Sequence, residues 1–145
     1  MFFIWLLVKL ITPFTKIHVG DFGDCFYDDD DNTIYIDLDI DEGRFRENLA
    51  TAHKYETNLG LLIWTILHEI GHHFTYKYID ENEDEVLRLV YKNLFKKKLI
   101  TEKTWQDLYY ELDSEWEATE WAINFIEKHK RLCKFFNKMF EVCVC

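Results

Sequence analysis

From Asn58 to Tyr76 the chain reads NLGLLIWTILHEIGHHFTY, and Leu62, Ile63, Ile66, Leu67 and Ile70 recur within it at the spacing of a helix with one buried face. A helix this apolar belongs in the core, so the remaining elements have to pack around it. It also carries His68, Glu69, His72 and His73 in its second half. His68 and His72 are four residues apart and project from one face on successive turns, where two imidazoles can grip one divalent ion. Glu69 sits beside that ion without being forced to ligate it. His-Glu-x-x-His on a helix is the zincin arrangement, with His68 and His72 binding Zn²⁺ and Glu69 taking a proton from water. The alternative is a pair of core histidines bonded to carbonyls, with Glu69 solvated. His73 points about 100° away from His72 and is expected to pack or face solvent, not to ligate.

A catalytic zinc needs a third protein ligand and an open position. No third histidine follows at short spacing, which directs attention to a carboxylate on a later helix. Between Leu112 and Ile126, Glu115, Ala118 and Ala122 share one helical face. Two alanines beside a carboxylate allow that helix to approach the metal helix closely and bring Glu115 to the ion. Glu117 is rotated about 200° from Glu115 and can instead close a Ser114-x-x-Glu117 capping box. Glu117 and Glu111 stay open as alternative ligands on spacing alone. Tyr76, Tyr109 and Tyr110 are candidate oxyanion donors by residue type only.

At 145 residues the chain suits a single domain, 1–145. Apolar residues make up 48% and aromatic residues 17%, which excludes a disordered chain. A formal charge of −10 argues against direct nucleic-acid binding and favours a basic substrate or partner surface. The apolar opening Met1–Ile11 is too short to span a bilayer, is interrupted by Lys9, and lacks a basic leader and a cleavage site. It reads as a buried strand or first helix, with an interfacial anchor as the alternative, and a cytoplasmic protein with no membrane association is expected. Cys25, Cys133, Cys143 and Cys145 show no C-x-x-C spacing, so free thiols are expected, the last two on a frayed tail.

Lys16–Phe22 and Thr33–Leu38 alternate apolar with polar, and Asp28–Asn32 supplies turn chemistry, which predicts a β-hairpin of these two strands. The edge of Thr33–Leu38 could hold a substrate as an added strand. A helix is expected over Asp41–Tyr55, leaving His53 near its end as a cap or exposed group. Thr57 or Asn58 is expected to cap the metal helix, which runs to about Tyr78. Further helices are expected from Asn82 through Phe95 and from Thr101 to about Glu111. The fold class is α+β, mostly helical, with a small N-terminal β-hairpin or sheet packed on the helix that carries His68 and His72.

His68-Glu-Ile-Gly-His72-His73, followed by Glu115-x-x-Ala118-x-x-Trp121-Ala122, resembles the ImmA/IrrE-type metallopeptidases over roughly the hairpin to Phe125. The resemblance implies a zincin-like minimal gluzincin fold, zinc on His68, His72 and Glu115, and Glu69 as catalytic acid/base. It also implies an intracellular peptidase, often of phages or mobile elements, that cuts a regulatory protein such as a transcriptional repressor. Thr119 departs from the Asn or Asp usual in that family at a place suited to orienting a zinc histidine. No helix-turn-helix is present, so any regulator must be a separate chain. The alternative from another class is a non-catalytic zincin-fold interaction protein, such as a phage inhibitor, that works by binding its partner. The oligomeric state is not legible at this level.

Overall fold

A computed structural model describes residues 1–39, 53–78 and 81–143. The first segment is a helix, α1 (Phe2–Ile11), which buries Ile4, Leu7 and Val8. It stops at Thr12, whose N–H and hydroxyl both donate to the Val8 carbonyl, at 2.7 and 2.9 Å, just before Pro13 precludes another turn. Three strands follow: β1 (Lys16–Gly20), β2 (Phe26–Asp28) and β3 (Thr33–Asp37). Their order is β1-β3-β2, with β1 parallel and β2 antiparallel to β3.

This corrects the expected pairing of Lys16–Phe22 with Thr33–Leu38 as a hairpin. The acidic turn is used, but it joins β2 to β3, and β1 pairs along the other side of β3 from Lys16↔Thr33 to Gly20↔Asp37. Period-two alternation reports which side chains face the core and is silent about strand direction. The chain between β1 and β2 is held by Asp37, whose carboxylate accepts from the Phe22 and Gly23 amides at 2.9 and 2.6 Å. Gly23 sits there at φ 77°, in the left-handed region that glycine enters at little cost. As the middle strand, β3 buries Ile34 and Ile36 completely.

The apolar stretch forms α2 (Leu61–Thr75), extended by a 3₁₀ turn at Tyr76–Tyr78. Its N-cap is Gly60, not Thr57 or Asn58. The Gly60 amide donates to Asn137 Oδ1 at 2.6 Å. Ile63, Trp64, Ile66, Leu67 and Ile70 are essentially inaccessible and form the centre of the core. Four helices follow: α3 (Glu81–Lys96), α4 (Glu102–Tyr110), α5 (Asp113–Lys128) and α6 (Lys130–Cys143). Thr101 caps α4 by accepting from the Thr104 amide at 3.1 Å. The helix α6, which has no counterpart among the sequence expectations, seats Cys133, Phe136 and Phe140 against α1 and α2. Cys25 and Cys133 are free thiols.

Helix α2 packs most extensively against α5, and the crossing is tight because of Gly71. A Cβ there would run into the Ala118 carbonyl oxygen and lie 2.9 Å from the Ala118 carbonyl carbon and Cα. Ala118 and Ala122 are fully buried at this contact. The sheet covers another side of α2, so the histidine helix lies between the sheet and α5. The α+β class is therefore as expected, mostly helical with a three-stranded sheet. The helix expected over Asp41–Tyr55 falls almost wholly outside the described residues, and His53–Tyr55 at its end are not helical. Among the described residues no helix is long and apolar enough to cross a membrane.

Candidate metal centre

His68 and His72 leave α2 on the side that faces α5, and Glu115 leaves the first turn of α5 toward them. Nε2 of His68 is 3.1 Å from Nε2 of His72 and 3.1 Å from Oε2 of Glu115. The third edge, His72 Nε2 to Glu115 Oε2, is 3.7 Å. A tetrahedral ion with bonds of about 2.0–2.1 Å needs ligand atoms about 3.3 Å apart, and this triangle is close to one face of that figure. His68 and Glu115 are 4% exposed, so the triangle lies almost wholly out of reach of solvent.

The second nitrogen of His68 sharpens the fit. Nδ1 lies 3.1 Å from the Thr119 hydroxyl, one turn beyond Glu115 on α5. With Nδ1–H donating to Thr119 Oγ1, Nε2 carries a bare lone pair pointed at a carboxylate and another imidazole. Three electron-rich atoms then converge in a buried place, which a cation satisfies and a neutral interior does not. Thr119 thus contacts a histidine of the triad as an Asn or Asp at that position could. His68, His72 and Glu115 form a group that can bind a metal ion. Glu111 and Glu117, the alternatives left open by spacing, are exposed and lie outside it.

Burial would raise the Glu115 carboxyl, but when the two rings carry protons in place of an ion, the charge of His72 and hydrogen bonding from His68 and His72 overcome it and hold the group well below the usual carboxylate range. Glu69 behaves oppositely. It is 5% exposed, and burial together with the nearby Glu115 charge pushes its carboxyl up to about 8 against the opposing pull of His68. Two carboxylates in one site, one kept ionised and one ready to hold a proton near neutrality, have the division of labour that acid–base chemistry needs.

These groups open into a cleft of about 680 Å³ between the β2 side of the sheet and helices α3 and α4. Tyr76, Tyr109 and Tyr110, the candidate oxyanion donors, all line it. The Tyr109 hydroxyl accepts from Arg88 Nη1 at 2.7 Å, and burial beside Glu115 keeps it protonated. Trp116 and Trp121 do not line the cleft. Trp116 stacks on His53, and Trp121 lies between Phe74 and Phe125. His53, expected to cap or face solvent, has a side chain only 3% exposed. His73 turns away, as its position on the helix required, and its Nδ1 meets Asn32 Oδ1 at 3.0 Å and the Tyr27 hydroxyl at 3.2 Å, tying α2 to the β2–β3 turn.

The expected strand edge at Thr33–Leu38 is corrected as well. β3 is flanked on both sides, and the edge strand bordering the cleft is β2. Two residues passed over in the sequence also belong to the site. Arg88 on α3 reaches Glu115, and Asp84 accepts from the Ser114 amide at 2.9 Å, doing the capping expected of a Ser114-x-x-Glu117 box. Their spacing of four looks like an ordinary intrahelical ion pair, so nothing local announced a contact with α5.

Comparison of the chain with protein-family models, with curated proteins and with solved structures finds no match.

Proposed function

We propose that the protein is a zinc-dependent endopeptidase of the zincin-like, minimal gluzincin kind, with His68, His72 and Glu115 as ligands and Glu69 as general base. The observation that carries this reading is the convergence of two imidazole nitrogens and one carboxylate oxygen beside a buried glutamate of raised pKa, all in one cleft. A zinc ion held by His68, His72 and Glu115 would supply Lewis acidity for a peptide carbonyl and for an attacking water. Glu69 accepts the proton released as water attacks and passes it to the departing amine. Thr119 fixes the ring of His68 through Nδ1. Among the described strands β2 lies at the edge of the sheet beside the cleft, where an extended peptide would run, and tyrosine hydroxyls in the cleft are suitable donors to the developing oxyanion.

The substrate in this reading is a protein, in keeping with the ImmA/IrrE-type resemblance, whose members cut intracellular regulators. The rim of the cleft narrows its chemistry. Asp24, Asp29, Asp39 and Glu85 are exposed along it, and Arg88, the one Lys or Arg among the lining residues described, is engaged with Glu115. A segment carrying Lys or Arg is favoured there and an acidic one repelled. Zinc-loaded protein incubated with a denatured mixture of cellular proteins should generate new N-termini that a chelator abolishes. Peptides with Lys flanking the cut should be hydrolysed with kcat/KM about tenfold above their Glu counterparts, an advantage that shrinks as salt is raised. Chelator-sensitive cleavage that ignores peptide charge contradicts the role of the rim. No chelator-sensitive cleavage of any protein contradicts the peptidase and leaves binding without catalysis as the function.

A further inference from the structure

Arg88 lies outside both motifs from which the site is built, yet its guanidinium reaches three groups at once. Nη2 donates to Glu115 Oε1 at 2.7 Å and to Ser114 Oγ at 2.9 Å, and Nη1 donates to the Tyr109 hydroxyl at 2.7 Å. The guanidinium carbon also lies 4.8 Å from the centre of the Tyr109 ring. One turn earlier on the same face of α3, buried Asp84 accepts from the Ser114 amide. Helix α3 therefore grips the first turn of α5 twice, with an anion on an amide at the helix N-terminus and a cation on the carboxylate one residue further on.

The two oxygens of Glu115 consequently have different neighbours. Oε1 is taken by Arg88, while Oε2 faces His68 and His72. We propose that Arg88, set in place by Asp84, Ser114 and Tyr109, is a positioning residue that makes Glu115 a single-oxygen ligand by presenting Oε2 and withholding Oε1. The inference rests on the metal-centre reading given above. Holding a flexible glutamate in its ligating rotamer beforehand removes the cost of ordering it when the ion arrives. Occupying Oε1 keeps the carboxylate from chelating through both oxygens and using up the position that a catalytic ion must keep open. Lysine cannot substitute fully, because a point charge does not span three acceptors in the fixed geometry of a guanidinium fork.

The test compares the wild-type chain with Arg88→Gln, Arg88→Lys and Tyr109→Phe. Zinc affinity is read by competition with a chromophoric chelator, and coordination by the visible absorption of Co²⁺-loaded protein, which weakens as ligands are added. Arg88→Gln should raise the zinc Kd about 10–100-fold and weaken the Co²⁺ bands per bound ion, and Arg88→Lys should do so less. Tyr109→Phe, which removes a hydroxyl that accepts from Arg88 and is itself hydrogen-bonded to Glu115, should raise the Kd a few-fold. A folded Arg88→Gln protein with a zinc Kd within about twofold of wild type overturns the assignment, as does weakened binding with an unchanged Co²⁺ spectrum. If Arg88→Gln does not fold, an unchanged Kd in Tyr109→Phe overturns it. Wild-type protein that binds no zinc sinks the metal centre itself, whereas wild-type binding with unresponsive variants sinks only the role of Arg88.

Discussion

Glu69→Gln is expected to reduce peptide hydrolysis by about 10²–10⁴-fold while zinc is bound as tightly as by wild type. The substitution keeps the shape of a buried side chain and removes only its ability to take up a proton, and Glu69 is not among the three residues whose ligand atoms converge. Stability moves in a direction that can be worked out for the metal-free protein. Folding raises the Glu69 carboxyl from 4.5 to about 8, so the folded state holds the proton more tightly than the unfolded chain does. The associated stability is present in full below about 4.5 and is lost as pH rises through about 8. Above that range the wild-type protein carries a buried charge that the amide lacks, so metal-free Glu69→Gln should unfold at a higher temperature than wild type. Chelator-sensitive cleavage at a wild-type rate by this variant contradicts the assignment of Glu69 as base. Full biological activity in a cell-based assay without cleavage favours the partner-binding reading instead.

Gly71→Ala is expected to lower stability and zinc affinity together. In most helices this replacement is favourable by about 1 kcal/mol. Here the new methyl would occupy the space of the Ala118 backbone, which cannot rotate away as a side chain can. Forcing the helices apart costs about 1–3 kcal/mol beyond what helix propensity returns, a fall of several degrees in melting temperature. The same displacement carries Glu115 away from His68 and His72, so zinc should bind at least about tenfold more weakly. Thermal unfolding of the metal-free variant and a chelator titration check the two effects separately. A variant as stable as wild type with unchanged zinc affinity contradicts the claim that the α2–α5 approach distance builds the site.

That coupling explains why the centre was more legible in the sequence than the fold around it. His68, His72, Glu115 and the small residues Ala118 and Ala122 lie on two helical faces, and helical periodicity fixes which side chains share a face. Strand pairing has no such local marker. Thr33–Asp37 and Lys16–Gly20 alternate equally well in a parallel or an antiparallel pair, so the parallel β1–β3 ladder could not be told from a hairpin. Contacts that join distant elements were the hardest to foresee. Asp84 and Arg88 resemble any exposed pair on a polar helix until α5 is brought beside them, and His53 meets its stacking partner Trp116 only across the fold. Helix α6 has a clear helical signal of its own, with Leu132, Cys133, Phe136, Met139 and Phe140 three and four residues apart, but the expectation of a frayed tail at Cys143 and Cys145 passed over it; it is ordered by burying Cys133, Phe136 and Phe140.

The central claim is tested most directly by zinc K-edge X-ray absorption on purified protein loaded with one equivalent of metal. The account predicts a tightly held ion with two imidazoles and one carboxylate oxygen at about 2.0–2.2 Å plus a non-protein oxygen, and the loss of the carboxylate contribution in Glu115→Ala. An ion that washes away, or a spectrum lacking imidazole and unaltered by Glu115→Ala, contradicts it.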